Sequence, residues 1–271
     1  MDAIRKACEA IQQADGLLIT AGAGMGVDSG LPDFRGRDGF WKAYPALAKS
    51  GIQFQDIACP SAFQRNPHQA WGFYAHRLKR YRQTVPHQGF DILKAIAEQF
   101  SKHYFVVTSN VDGQFSKAGF RPEQIYEVHG SIHHLQCLND CRRMIWSADD
   151  FAPVVDDLHC ELVSELPTCP HCGGLARPNI LMFGDWSWQD QRSRMQALKL
   201  HAWKQQTARQ VIIELGAGLE VPTIRIMSEH EEGVLIRINP RDCAVPKNGI
   251  SIPMGALEAL QRISAQLGSG A

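Results

Sequence analysis

The sequence predicts an α/β fold: a parallel sheet with helices on both faces, interrupted by a smaller module. Three observations predict it. Short apolar runs of strand length alternate with segments of helical periodicity. The first run, "GLLITA" at 16–21, opens into a glycine-rich turn. Two stretches, 37–87 and 133–177, break the alternation and hold prolines, aromatics and paired cysteines instead.

Taken in order, "DAIRKACEAIQQ" at 2–13 has apolar residues at helical spacing. "GLLITA" then reads as a buried strand, as do "YFVVTSN" at 104–110, the short "IYEV" at 125–128, "QVIIELGAG" at 210–218 and "GVLIRINP" at 233–240. Helical patterns separate them at "GFDILKAIAEQF" and "WQDQRSRMQALKLHAWKQQ", and "MGALEALQRISAQL" closes the chain as a helix. Within 37–87, "HQAWGFYAHRLKRYRQ" also reads as helical. The expected organisation is a sheet domain of 1–36, 88–132 and 178–271, with 37–87 and 133–177 forming a small domain.

The bulk composition narrows the function classes. The 271 residues suffice for one large domain with an insert. Formal net charge is zero and hydrophobic content is 44%, so no global charge bias points to nucleic acid or membrane. No apolar run reaches the roughly eighteen residues of a membrane span. The opening "MDAIRKACEAIQQADG" lacks the long apolar core of a secretory signal, so a cytoplasmic location is expected.

Cysteine spacing is the strongest local signal. Of Cys8, Cys59, Cys137, Cys141, Cys160, Cys169, Cys172 and Cys243, four fall in two short-spaced pairs, Cys137/Cys141 and Cys169/Cys172. Two such knuckles suit one tetrahedral thiolate zinc, and four protein ligands make it structural. Cys160 lies between the pairs as the competing ligand, and His171 sits inside the second knuckle as exposed filler.

The turn "GAGMGVDSGLPDFRG" at 22–36 has Gly22, Gly24 and Gly26 in place of the full G-x-G-x-x-G fingerprint. A strand followed by such a turn presents backbone amides to a phosphate, or is simply a structural turn. The acidic residue expected about twenty positions on for a hydride-transferring dehydrogenase is missing. Instead Asp33, Phe34 and Arg35 follow the glycines, a set able to accept from an amide, cover a ring and pair with a phosphate. Ser109, Asn110 and Asp112 end the strand "VVTSNVDG", where ligand crevices form in open sheets, although an Asn-Asp turn is also common there.

These motifs together resemble the sirtuin family. "GAGMGVDSGLPDFRG" resembles its G-A-G-I-S-x-x-S-G-I-P-D-F-R-G motif, "TSNVDGQF" its T-Q-N-I-D-G-L and "VHGSI" its histidine-glycine motif. "CPHCGGLARPNILMFGD" is similar to the second zinc pair with R-P-x-x-V-x-F-G-E, and "ELGAGLEVP" and "IRINP" follow in family order. The resemblance implies a Rossmann-like domain binding NAD, a small domain holding one zinc, and acylated lysines of proteins as substrate. It implies nicotinamide, free lysine and O-acyl-ADP-ribose as products.

It also implies residue roles. His129 would be the general base, Asn110 would order the ribose and a water, and Asp112 would hold the nicotinamide carboxamide. Cofactor contacts fall on Gly22, Ala23, Gly24, Asp28, Pro32, Asp33, Phe34 and Arg35 in the first loop. They continue at Ser109, Asn110, Val111 and Asp112, then at Gly216, Ala217, Gly218, Asn239 and Ala256. Ile180, Leu181, Phe183 and Gly184 would line the acyl-lysine channel. Tyr74 and Arg77, at i and i+3 on a helix, match the Tyr-x-x-Arg pair of class III sirtuins, which accept succinyl-, malonyl- and glutaryl-lysine. A phenol beside a guanidinium suits a carboxylate, so an anionic acyl group is favoured over acetyl.

The chain departs from the family pattern at Gly26, Ser109, Ala217, Gly218 and Asp185, and "WSWQDQ" replaces a leucine-proline step. Trp186 and Trp188 there would cap the channel entry or simply pack. The alternatives are an ADP-ribosyltransferase or NAD glycohydrolase on the same fold, and, less favoured, a non-catalytic NAD sensor. No nucleic-acid or membrane partner is expected.

Overall fold

The computed structural model describes residues 2–33, 36–100 and 103–268. Helix α1 (Asp2–Gln13) leads into strand β1 (Gly16–Ala21) and a 3-10 turn, Ala23–Ser29. Five helices follow: α2 (Gly36–Ala43), α3 (Pro45–Lys49), α4 (Phe54–Ile57), α5 (Pro60–Arg65) and the long α6 (Pro67–Gln83). The chain returns through α7 (Gln88–Phe100), β2 (His103–Thr108), α8 (Gln114–Lys117) and β3 (Ile125–Glu127). The cysteine-bearing segment holds β4 (Gly130–Cys137), β5 (Ile145–Ser147), β6 (Val155–Asp156), β7 (Glu161–Leu162) and β8 (Ala176–Ile180). The last part runs α9 (Gln191–Lys204), β9 (Gln210–Leu215), α10 (Thr223–His230), β10 (Val234–Ile238), β11 (Ile250–Ile252) and α11 (Ala256–Gly268).

The main sheet has the order β11-β10-β9-β1-β2-β3, and all its pairings are parallel. Strand periodicity explains the two helical layers. Leu17 and Ile19 of β1 face the cluster built with α1, α7 and α11, whereas Leu18 faces the cluster of Leu200, Trp203 and Ile224. The same alternation holds in β2, where Tyr104 and Val106 oppose Phe105 and Val107. Alternate side chains therefore enter opposite cores, which is why these strands read as continuous apolar runs. The short edge strand β11 is not signalled by any apolar run of comparable length.

A third core joins the helical and cysteine-bearing stretches. Phe63, Trp71, Phe73 and Leu78 pack with Leu135, Leu162 and Ile180, and Leu31 and Val111 of the main-sheet loops join them. The Trp71 indole donates to the Ala176 carbonyl at 2.9 Å, tying α6 to β8. Gly72 allows the hairpin β6-β7 to approach, since a Cβ there would lie 2.1 Å from the Cys160 carbonyl oxygen. The stretch with little sequence periodicity thus folds as the three-stranded antiparallel sheet β5-β4-β8. Among the described residues no helix is long and apolar enough to cross a membrane.

Candidate active site and metal centre

A cavity of about 630 Å³ opens at the carboxyl ends of β1, β2, β9 and β10 and is lined also by α6. This is the crevice position expected of a parallel sheet, and the volume suits an organic ligand. The loops after β1, β2, β9 and β10 line it, and hydrogen bonds lock them together. Gly22 N–H donates to Leu215 O at 3.0 Å and Gly24 N–H to Gly216 O at 3.0 Å. The Asn110 amide donates to Gly22 O and the Asn239 amide to Ala217 O, each at 3.0 Å.

The glycines are explained by this loop contact. A Cβ on Gly24 would fall 2.7 Å from the Gly216 Cα, and Gly216 itself has φ +61°. Gly22 and Gly24 line the cavity, but their amides are engaged by β9 and its loop and are not aimed at a phosphate. Asp28 likewise lines the cavity while its carboxylate accepts from Leu257 N at 2.9 Å, capping the first turn of α11 next to Ala256. Gly26 is buried against Leu31, whose side chain a Cβ would meet at 3.2 Å, so a serine there would require Leu31 to move.

At one end of the cavity, β2 and β3 deliver His129, Ser109, Asn110, Val111 and Asp112. Burial lowers the His129 pKa below its ordinary value, and a hydrogen bond to the Ser109 backbone works against this. Its imidazole is therefore neutral at pH 7. Burial pushes Asp112 up to about 6, against the hydrogen bond from Gln114 N. That amide lies 2.9 Å from Asp112 Oδ1, and the His133 ring sits 3.0 Å from the Asp112 carbonyl.

Tyr74, Arg77 and Tyr81 of α6 also line the cavity, and the Arg77 charge and the Tyr81 ring lie close enough to Asp112 to act on it. Burial holds the Tyr74 phenol above its ordinary pKa. Ile180, Leu181 and Phe183 line the cavity, with Phe54 5.6 Å from Phe183 in an edge-on contact. Gly184 is not among the lining residues. Neither Trp186 nor Trp188 lines it either: Trp186 is 99% exposed, so it neither packs nor caps the cavity.

Pro32, Asp33, Ala217, Gly218, Asn239 and Ala256 all line the cavity. Phe34 and Arg35 lie outside the described residues. Tyr81 and Arg241 also line the cavity, and no sequence motif marks either. Tyr81 follows Arg77 by one helical turn, a spacing that carries it onto the same face. Arg241 follows Asn239 in the loop after β10 and pairs with Asp33 at 3.1 Å.

The four paired cysteines converge. Their sulfurs all lie within 4.8 Å of one another, with Cys137–Cys172 at 3.7 Å and Cys141–Cys169 at 3.6 Å. Zinc–thiolate bonds of about 2.3 Å in a tetrahedron place sulfurs roughly 3.8 Å apart, whereas a disulfide needs about 2.05 Å. The sulfurs therefore fit a structural zinc. Cys160 is buried in the α6 core and does not join them, and His171 is exposed.

Comparison with known proteins agrees with this geometry. The sequence profile of the Sir2 family matches residues 22–222. An NAD-dependent protein deacylase of Aquifex aeolicus is 28% identical over 234 residues, covering 85% of this chain and 86% of its own. One of Pyrococcus abyssi is 30% identical over 226 residues, covering 83% and 81%. One of Daphnia pulex is 33% identical over 200 residues, covering 68% and 67%. The crystal structure of a Sir2 homologue in complex with NAD shares the fold, with a TM-score of 0.72 at 22% identity over 98% of this chain and 94% of that one. With its parallel-sheet crevice, its four-sulfur cluster and a family profile that spans most of its length, the chain belongs to the Sir2 family.

Proposed function

We propose that this protein is an NAD-dependent protein-lysine deacylase that prefers negatively charged acyl groups. Family membership supports the reaction class, because the relatives above are named for it. One observation carries the reading further: the neutral His129, with Asn110 and Asp112, shares a single cavity with Tyr74 and Arg77.

The cavity fits NAD in volume, in its place at the strand ends and in its polar groups. When bound, NAD supplies an electrophilic ribose carbon by releasing nicotinamide. His129, uncharged through burial, would act as the base for a ribose hydroxyl. Asn110 is held by Gly22 O and by Thr108 Oγ1, which accepts from its backbone N–H at 3.0 Å, so its amide meets the ligand in a fixed orientation. Asp112 uses one carboxylate oxygen on Gln114, and the other is assigned to the carboxamide. The apolar lining from Leu31, Phe54, Val111, Ile180 and Met182 keeps competing water from the reacting sugar.

Tyr74 and Arg77 are assigned to the carboxylate of a succinyl, malonyl or glutaryl chain. The thiolate metal site suits a reducing compartment, and we place the protein in the cytoplasm. The test is incubation with NAD and peptides bearing acetyl-, malonyl-, succinyl- or glutaryl-lysine, with every product identified by mass. O-acyl-ADP-ribose and free lysine are expected, fastest from the acidic acyl groups. Free or protein-linked ADP-ribose without deacylation would replace this reading with the glycohydrolase or transferase. An unchanged acyl preference in Arg77→Met would refute the anionic assignment.

A further inference from the structure

We propose that Tyr81 is a positioning residue for acyl-group selection, fixing the Arg77 guanidinium in the cavity wall. The inference rests on the anionic-acyl reading above and adds to it a residue outside the Tyr-x-x-Arg pair. Tyr74, Arg77 and Tyr81 follow one another at spacings of three and four along α6, so they share one stripe of the helix, and all three line the cavity.

The Tyr81 hydroxyl accepts from Arg77 Nε at 3.1 Å and from Nη2 at 2.8 Å. Two donors on one acceptor define the guanidinium plane, because rotation about either end of the side chain breaks a bond. The Arg77 Cζ also lies 5.2 Å from the Phe73 ring centroid and 5.6 Å from that of Tyr81. Tyr81 is itself anchored: it is 5% exposed, and its carbonyl accepts from Gln114 Nε2 at 3.2 Å. A long, flexible arginine is thus ordered before any ligand arrives, which removes an entropic cost from binding.

The chemistry of the acceptor matters as much as its place. Burial opposes the charge on Arg77, and the hydrogen bonds to the Tyr81 hydroxyl favour it. Burial also raises the Tyr81 pKa, so the phenol stays neutral and accepts through its lone pairs. A carboxylate at this position would orient the guanidinium but cancel its charge. A phenol orients it and leaves the charge to act on the substrate.

The test is steady-state kinetics of Tyr81→Phe, Arg77→Met and the double variant on succinyl- and acetyl-lysine peptides, with thermal melting of each. Tyr81→Phe keeps the ring and removes the hydroxyl. Its KM for the succinyl peptide should rise about tenfold, with a smaller change in kcat, as expected when the hydrogen bonds that order a charged group are lost. The succinyl-to-acetyl ratio of kcat/KM should fall by a similar factor. In the Arg77→Met background the hydroxyl should have no further effect on that ratio. If Arg77→Met changes the ratio and Tyr81→Phe does not, the role of Tyr81 is overturned while the anionic reading stands. An equal loss on both peptides with a lower melting temperature also overturns it, as packing alone. If neither variant alters the ratio, the anionic reading itself fails.

Discussion

Arg177 and Asp185 meet face to face, Nη1 to Oδ2 at 2.8 Å and Nη2 to Oδ1 at 2.8 Å, with neither side chain reaching solvent. Asp185 also accepts from Ser187 N at 3.1 Å, so the pair holds the segment that carries Leu181 and Phe183 into the cavity. Asp185→Ala would leave the guanidinium buried and uncompensated. It should lower unfolding free energy by about 3–5 kcal/mol, read from urea denaturation. Asp185→Glu, the residue usual in the family motif, tests how much of that loss is charge and how much is fit.

Asp112 should trade stability for function. Its pKa in the folded chain is raised to about 6 from an ordinary 3.8. A carboxyl raised in this way favours the fold fully below its unfolded pKa, and that contribution is lost as pH rises through 6. Asp112→Asn stays neutral and keeps the Oδ1 acceptor for Gln114. It should raise unfolding free energy at pH 7 by roughly 2 kcal/mol, give no gain at pH 3, and abolish turnover. Melting temperature against pH for both proteins is the measurement.

His129 sets the acid limb of activity. Its folded pKa lies below 6.5, so the neutral base is already present at pH 7 and is lost only as pH falls further. The acid limb of kcat/KM should therefore fall below pH 6.5, where Asp112 also titrates. His129→Ala should lower kcat by about 10²–10⁴ while calorimetry still detects dinucleotide binding.

The sequence showed the sheet clearly because a strand buried on both faces must be apolar throughout. It showed the metal centre because knuckle spacing is set by ligand geometry. It showed which residues reach the cavity better than what they do there. Gly22 and Gly24 read as phosphate-facing, yet their missing side chains make room for Gly216 and Ala217, nearly two hundred positions away. Asp28 reads as a cofactor ligand and caps α11, a partner that no local pattern announces. Tyr81 carries no sequence signal of its own, because a tyrosine on an amphipathic helix reads as core and its bond to Arg77 is a matter of side-chain geometry.

The glycine contact should tolerate no side chain. Gly24→Ala would push a methyl against the Gly216 backbone, which cannot turn aside as a side chain could. A loss of about 1–3 kcal/mol in stability is expected, with weakened dinucleotide affinity. Gly30, with φ +79° and open space around its Cβ position, is the contrasting site: Gly30→Ala should cost only the backbone term.

The four sulfurs should bind one zinc per chain, measurable by elemental analysis. Strong chelation should lower the melting temperature, and Cys169→Ser should do the same without chelator. The effect should reach α6 through the Trp71 bond to Ala176 and so raise the KM for peptide.

The exposed indole of Trp186 also gives the molecule an optical handle. It stands 99% exposed on a turn whose neighbours, Asp185 and Ser187, are held by Arg177 and by each other. Its emission should therefore be that of indole in water, quenched by iodide, while the deeply buried Trp71 stays shielded. Iodide quenching should therefore separate this surface turn from the protein core by light alone, in the intact molecule.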